Sequence, residues 1–263
     1  LKRHEPRAAD HVGDLVIANL TASADSAEWC AFKKKNGRLA WSIPVTSRGT
    51  GDRAYAAPHI LTSDGNTNLL LISNATIDCV DSLTGKRLWS HPISDLQMQY
   101  GPFIGPVFYD TDRFLLGAWY SGNGSALAFQ VCDDGLKRLW QNWSIGKNAC
   151  SLVVYRRYAY GYGIGGLTCV DTDNGRVQWK WRSGDRQYEG DQGETILVRD
   201  KIVWLSTSGV LYMAMASPGT EQPFAAVRVL AECKKDLRRD KAPRNNLIRT
   251  SPTYADGRLF CRA

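Results

Sequence analysis

An eleven-residue pattern that recurs along the chain constrains the fold more tightly than any other feature. Cys79-Val80-Asp81-Ser82-Leu83-Thr84-Gly85-Lys86-Arg87-Leu88-Trp89 and Cys169-Val170-Asp171-Thr172-Asp173-Asn174-Gly175-Arg176-Val177-Gln178-Trp179 both read small-x-Asp-x-x-polar-Gly-x-x-x-Trp. The segment from Ala31 through Gly37 to Trp41 keeps the frame with Lys33 in the Asp place. A looser and longer copy runs from Ala128 through Gly135 to Trp140. The four tryptophans stand 48, 51 and 39 residues apart. Recurrence at this period marks a repeat architecture, in which one supersecondary unit is stacked on the next.

The flanks repeat as well. Apolar runs such as Leu69-Leu70-Leu71-Ile72 and Phe114-Leu115-Leu116-Gly117 precede the motif. Further upstream lie second extended runs, Pro58-His59-Ile60-Leu61 and Pro106-Val107-Phe108-Tyr109. Helical i, i+3, i+4 periodicity is missing, and Gly, Asn and Asp turn signals fall about every ten residues. Four short antiparallel strands per unit of roughly 40–50 residues describe a blade of a β-propeller. Polar-Gly closes a hairpin, the small first residue admits a close neighbour, and Trp supplies a flat apolar surface to wedge between blades. The reading is an all-β propeller forming one domain over residues 1–263. Its blades fall near 6–45, 54–94, 100–146, 149–184 and 193–231, with a partial blade over 247–263, about five and a half in all.

This motif resembles the tryptophan-docking motif of the PQQ-like repeat propellers, the quinoprotein alcohol dehydrogenase-like fold. Within that family the pattern is most similar to secreted bacterial propellers related to the outer-membrane assembly lipoprotein BamB. The resemblance implies a seven- or eight-bladed ring of which this chain is a fragment, an extracytoplasmic location, periplasmic or secreted, and a structural role for the motif residues. Those residues are Ala31, Gly37, Trp41, Cys79, Asp81, Gly85, Trp89, Gly135, Trp140, Cys169, Asp171, Gly175 and Trp179. Lys33 departs from the family Asp and puts the hydrogen bond of that turn in doubt; Cys79 and Cys169 stand where the family usually has Ala.

Enzymes of the same fold hold PQQ between a Trp and a vicinal disulfide and bind Ca²⁺ through Glu, Asn and Asp. The seven cysteines here, at 30, 79, 132, 150, 169, 233 and 261, are never adjacent and form no C-x-x-C pair, so the sequence alone pairs none of them. The four histidines are scattered, and no G-x-S-x-G elbow occurs. Gly161-Tyr162-Gly163-Ile164-Gly165-Gly166 superficially resembles a nucleotide loop, but it sits where a hairpin is expected and no helix follows. These features give no catalytic, cofactor-binding or metal-binding residues. PQQ with Ca²⁺ remains the alternative, as a quinoprotein oxidoreductase.

The net charge of +7 is unevenly spread, since residues 228–249 hold eight basic residues against three acids. Lys234, Lys235, Arg238 and Arg239 make this stretch a candidate anion-binding segment, or a solvated connection between blades. It contains no aromatic residue to stack on a base, which argues against nucleic acid. No apolar run reaches the roughly 18 residues of a membrane-spanning helix, and the start, Leu1-Lys2-Arg3-His4, lacks the apolar stretch of a secretory signal. The functional expectation is a non-catalytic scaffold that binds another protein or an envelope component.

Overall fold

The computed structural model describes residues 5–23, 26–45, 56–63, 66–73, 75–93, 105–120, 123–146, 151–163, 166–182, 193–206, 209–220, 222–230 and 251–262. Within them the chain forms five four-stranded antiparallel meanders followed by a hairpin. The first sheet is β1 (Glu5–Val12), β2 (Leu15–Ser23), β3 (Ser26–Lys33) and β4 (Leu39–Pro44); the second is β5 (His59–Ser63), β6 (Asn66–Ile72), β7 (Thr76–Asp81) and β8 (Arg87–Pro92). The third holds β9 (Val107–Phe108), β10 (Arg113–Tyr120), β11 (Asn123–Cys132) and β12 (Gly135–Asn142). The fourth holds β13 (Val153–Tyr155), β14 (Tyr158–Gly163), β15 (Gly166–Asp171) and β16 (Val177–Trp181). The fifth is β17 (Gly193–Val198), β18 (Lys201–Ser206), β19 (Val210–Met215) and β20 (Ala225–Arg228), and the hairpin is β21 (Thr253–Ala255) with β22 (Arg258–Phe260).

From the second sheet to the fifth, the second strands carry buried apolar runs because both faces of these sheets are covered. In β6, Leu69 and Leu71 join the apolar cluster with Trp29 and Trp41 of the first sheet, while Leu70 and Ile72 join Phe114, Leu116 and Phe129 of the third. The alternation continues: Leu115 packs with Ala159 and Val170 of the fourth sheet, Tyr160 and Tyr162 with Trp204 of the fifth, and Val203 and Leu205 with Leu259 of the hairpin. Successive side chains of a strand point to opposite faces, so one run serves two interfaces. Burying each Leu or Ile contributes about 1.5–3 kcal/mol. The core is therefore five clusters, one between each consecutive pair of units.

The recurring pattern maps onto one local geometry. Trp41, Trp89, Trp140 and Trp179 pair across the ladder with Ala31, Cys79, Ala128 and Cys169, and a register shift follows each pair. Such a bulge adds local twist to the outer strand. The indole then reaches the following sheet. Trp41 Nε1–H donates to the Ser82 carbonyl at 3.0 Å, Trp140 Nε1–H to the Thr172 carbonyl at 2.7 Å, and Trp179 Nε1–H to the Ser217 carbonyl at 2.9 Å. Trp89 is buried in the cluster with Phe114 and Phe129 of the third sheet.

The receiving turn is built by its own residues. Gly85 N–H donates to the Asp81 carbonyl, and the Asp81 carboxylate accepts from the Leu83 and Thr84 amides and from the Thr84 hydroxyl. The residue before Gly is polar for a reason: Asn36, Thr84 and Asn174 each accept the amide two residues on. Gly85 and Gly175 have φ of 70° and 71°, and a Cβ on either would lie 2.7 Å from Cδ2 of Trp41 or Trp140. Lys33 has no carboxylate to accept turn amides as Asp81 does, yet its turn keeps the backbone bonds. Lys33 N–H donates to the Arg38 carbonyl, Gly37 N–H donates to the Lys33 carbonyl, and Lys34 Nζ donates to the Gly13 carbonyl at 2.6 Å. In the looser copy the connection is a two-residue turn over Asp133 and Asp134, and nothing packs over Gly135.

These contacts separate two costs of substituting the turn glycine. Gly37 shares the positive φ, at 68°, but faces open space. Gly37→Ala should therefore lower stability by about 1–2 kcal/mol, the cost of a left-handed L-residue. Gly85→Ala should cost a further 1–3 kcal/mol or so, because the Trp41 ring must also move. Urea unfolding of the two variants measures the difference, and equal losses would remove the indole from the explanation.

Candidate functional site at the mouth of the inner strands

First strands lie side by side: β13 is flanked by β9 and β17, and a Cβ on Gly105, before β9, would lie 3.9 Å from the Ala57 carbonyl oxygen, before β5. These strands therefore line the inside of the stack, and their starting residues gather at one mouth. Tight turns fix which residues are equivalent. Tyr155 pairs with Tyr158, Val198 with Lys201 and Ala255 with Arg258, around turn residues Arg156, Arg199 and Asp256 at φ of 55°, 57° and 49°. Four residues before each closing residue stand Ser151, Glu194 and Ser251. Ladder register places Gly105 and Ala57 at the same position in the third and second sheets.

Three of these residues meet. Glu194 Oε2 accepts from the Ser151 amide at 3.1 Å, the Ser151 hydroxyl at 2.6 Å and the Ser251 hydroxyl at 3.3 Å. One carboxylate oxygen thus joins the fourth sheet, the fifth sheet and the hairpin. Among the described residues Oε1 has no hydrogen-bond or ion-pair partner, and the Glu194 side chain is half-buried. Sequence reasoning missed this site. Its only signal is one acid in a register otherwise occupied by Ala57, Gly105, Ser151 and Ser251.

The motif acids, the remaining tryptophans and the basic segment divide differently. Asp81 and Asp171 lie on the turns that receive indoles. The Thr84 hydroxyl and the backbone amides of Thr84 and Leu83 hold the Asp81 carboxyl below the usual carboxylate range. Asp171 is buried and pairs with Arg157 at 2.6 Å, which also reaches Asp173 at 3.1 Å. Trp204 and Trp181 pack with Tyr212 in one aromatic group, with ring centroids 5.0–5.4 Å apart, so they serve packing; Trp143 is 41% exposed. The glycine-rich stretch is a β14–β15 hairpin. Lys234, Lys235, Arg238 and Arg239 lie outside the described residues, as do Cys150 and Cys233.

Cys30, Cys79, Cys132, Cys169 and Cys261 are free thiols. Burial pushes Cys79 up to about 11 and Cys169 up to about 12, and burial with the Glu28 carboxylate beside it takes Cys30 to about 11. Among the described residues no three His, Cys, Asp or Glu side chains gather as a metal site. The described thiols are separate from one another, and the described acids are spread over turns.

Two solution measurements follow. A thiol reagent at pH 8 should leave Cys30, Cys79 and Cys169 unlabelled in the native protein and label all three after denaturation, since only the thiolate reacts; labelled peptides located by mass spectrometry read this out, and native labelling of Cys169 would contradict its burial. Because the folded Asp81 carboxyl lies below its unfolded value of about 3.9, its contribution to stability is full above that pH and is lost as pH falls through the folded value. Asp81→Asn should accordingly flatten the acid limb of the melting temperature against pH profile. An unchanged limb would show that Asp81 has no share in it.

Comparisons with known proteins place this geometry. Residues 3–126 match the family described as outer membrane protein assembly factor BamB. BamB from Moraxella catarrhalis aligns with a TM-score of 0.63 at 15% identity, covering 85% of this chain and 64% of that one. Chaetomium thermophilum Sqt1, solved bound to the N-terminus of the ribosomal protein L10, aligns with a TM-score of 0.57 at 13% identity, covering 83% and 59%. The chain thus spans less than two thirds of the length of either solved structure. No curated protein sequence matches it. Five consecutive four-stranded meanders, the recurring indole contact and these likenesses give the chain a β-propeller fold similar to that of BamB, and residues 3–126 match the BamB family model.

Proposed function

We propose that the chain is a non-catalytic propeller scaffold that binds another protein in the bacterial cell envelope, with the mouth of the inner strands as its contact surface. The observation that carries this reading is the convergence of the inner strands on the half-buried Glu194, whose Oε2 is held by Ser151 and Ser251. A recognition group fixed by three hydrogen bonds loses little entropy when a partner arrives. A propeller of similar fold, Sqt1, holds a protein N-terminus, which supports a peptide-like ligand. The family match over residues 3–126 supports the envelope location.

Photo-crosslinking tests the scaffold reading. A benzophenone side chain at Ala57, exposed at the mouth, should capture one protein in cells, whereas the same group at Ser90, exposed on the outer strand β8, should not. Capture from position 90 alone, or from neither, would overturn it. The quinoprotein alternative predicts the opposite of a scaffold in a simple titration. Adding PQQ and Ca²⁺ should leave Trp fluorescence without a saturable change and give no dye reduction with alcohols or sugars; saturable binding with turnover would make the protein an oxidoreductase. For the 228–249 segment, polyanion binding that persists at high ionic strength would count against an electrostatic role.

A further inference from the structure

The inner-strand register names the chemistry that the mouth accepts. Its five described positions, Ala57, Gly105, Ser151, Glu194 and Ser251, carry one carboxylate among four small residues, so no large side chain from this register occupies the space in front of it. Among the described residues Glu194 has no cationic partner, although the chain carries a net charge of +7. The available acceptors are Oε1 and the lone pairs of the Ser151 and Ser251 hydroxyls, whose protons are committed to Oε2 at 2.6 and 3.3 Å. That makes three acceptors, from three consecutive units, around one point.

Resting on the scaffold reading, we infer that this point is a socket for a primary ammonium group of the partner protein. An ammonium is a compact charge with three donors, which matches one carboxylate oxygen and two hydroxyl oxygens. A guanidinium is a planar fork that binds best to both oxygens of a carboxylate, and Oε2 already accepts three bonds here. A calcium ion asks for six to eight oxygens, and the described residues gather no such set. Neutral donors would leave the carboxylate charge uncompensated. The ammonium could come from a lysine side chain or from a chain N-terminus, and the two are chemically alike at this socket.

Amide NMR on the full chain separates these sources and tests the assignment. Nα-acetyl-lysine amide offers only the side-chain ammonium, and glycylglycine amide only the α-ammonium. At least one should shift the Ser151 amide saturably, and the lysine probe acetylated on both nitrogens should not. Glu194→Gln keeps a carbonyl acceptor for Ser151 and Ser251 but removes the charge, and should weaken binding by roughly tenfold or more. Ser251→Ala, at an exposed site that tolerates truncation, should weaken it by a smaller factor of about two to five, and serves if the Gln variant fails to fold. Equal shifts from the fully acetylated probe, no saturable shift from any probe, or unchanged affinity in both variants would overturn the socket. If the probes fail while crosslinking at Ala57 still captures a partner, the socket falls and the scaffold stands.

Discussion

Three indole N–H groups, those of Trp41, Trp140 and Trp179, leave their own sheets to donate to backbone carbonyls of the next. Much of the architecture depends on that reach. Each ring needs a small residue opposite it across the ladder, a bulge to aim the strand and, for Trp41 and Trp140, a side-chain-free platform at Gly85 or Gly175. The contact is worth more than its hydrogen bond. A neutral hydrogen bond adds about 1 kcal/mol net, whereas the buried ring it orients contributes several times that. Polar direction and apolar area act together, and neither alone would fix which sheet meets which.

The receiving turn tolerates more change than its sequence suggests. Asp81 and Asp171 organise their turns through carboxylate-to-amide bonds, yet Lys33 occupies the same place without losing the backbone pattern. Left-handed glycine and the acceptor two residues before the next amide suffice to hold it, with Lys34 anchored to the first hairpin. Asp133 and Asp134 mark a stronger departure, where a two-residue turn replaces the longer one and Trp89 relies on Phe114 and Phe129 for its apolar surroundings.

The sheets were readable because their physics is local. Leu69-Leu70-Leu71-Ile72 and Phe114-Leu115-Leu116 announce strands buried on both faces, and the Gly-to-Trp spacing announces an outer hairpin. The mouth was not readable, for the opposite reason. Ser151, Glu194 and Ser251 come from three units, with partners 43 and 57 residues apart, and the acid occurs at only one of the described positions of that register. A pattern search finds sameness, while this site is made by one position being unlike its equivalents. At Lys33 the carboxylate-to-amide bonds of Asp81 have no counterpart, and the backbone bonds hold the turn.

The indole contacts have a consequence for how such a chain drifts. Their partners lie 41, 32 and 38 residues further along, so a change at a tryptophan is felt one repeat downstream as well as in its own sheet. A larger residue at Gly85 is tolerable only once Trp41 has become smaller, and the order of the two substitutions matters. Descent with modification in this chain is thereby paired at a lag of one unit. A unit copied or exchanged as a block between its neighbours would bring a tryptophan matched to the old successor, and its accommodation would be decided at the downstream seam.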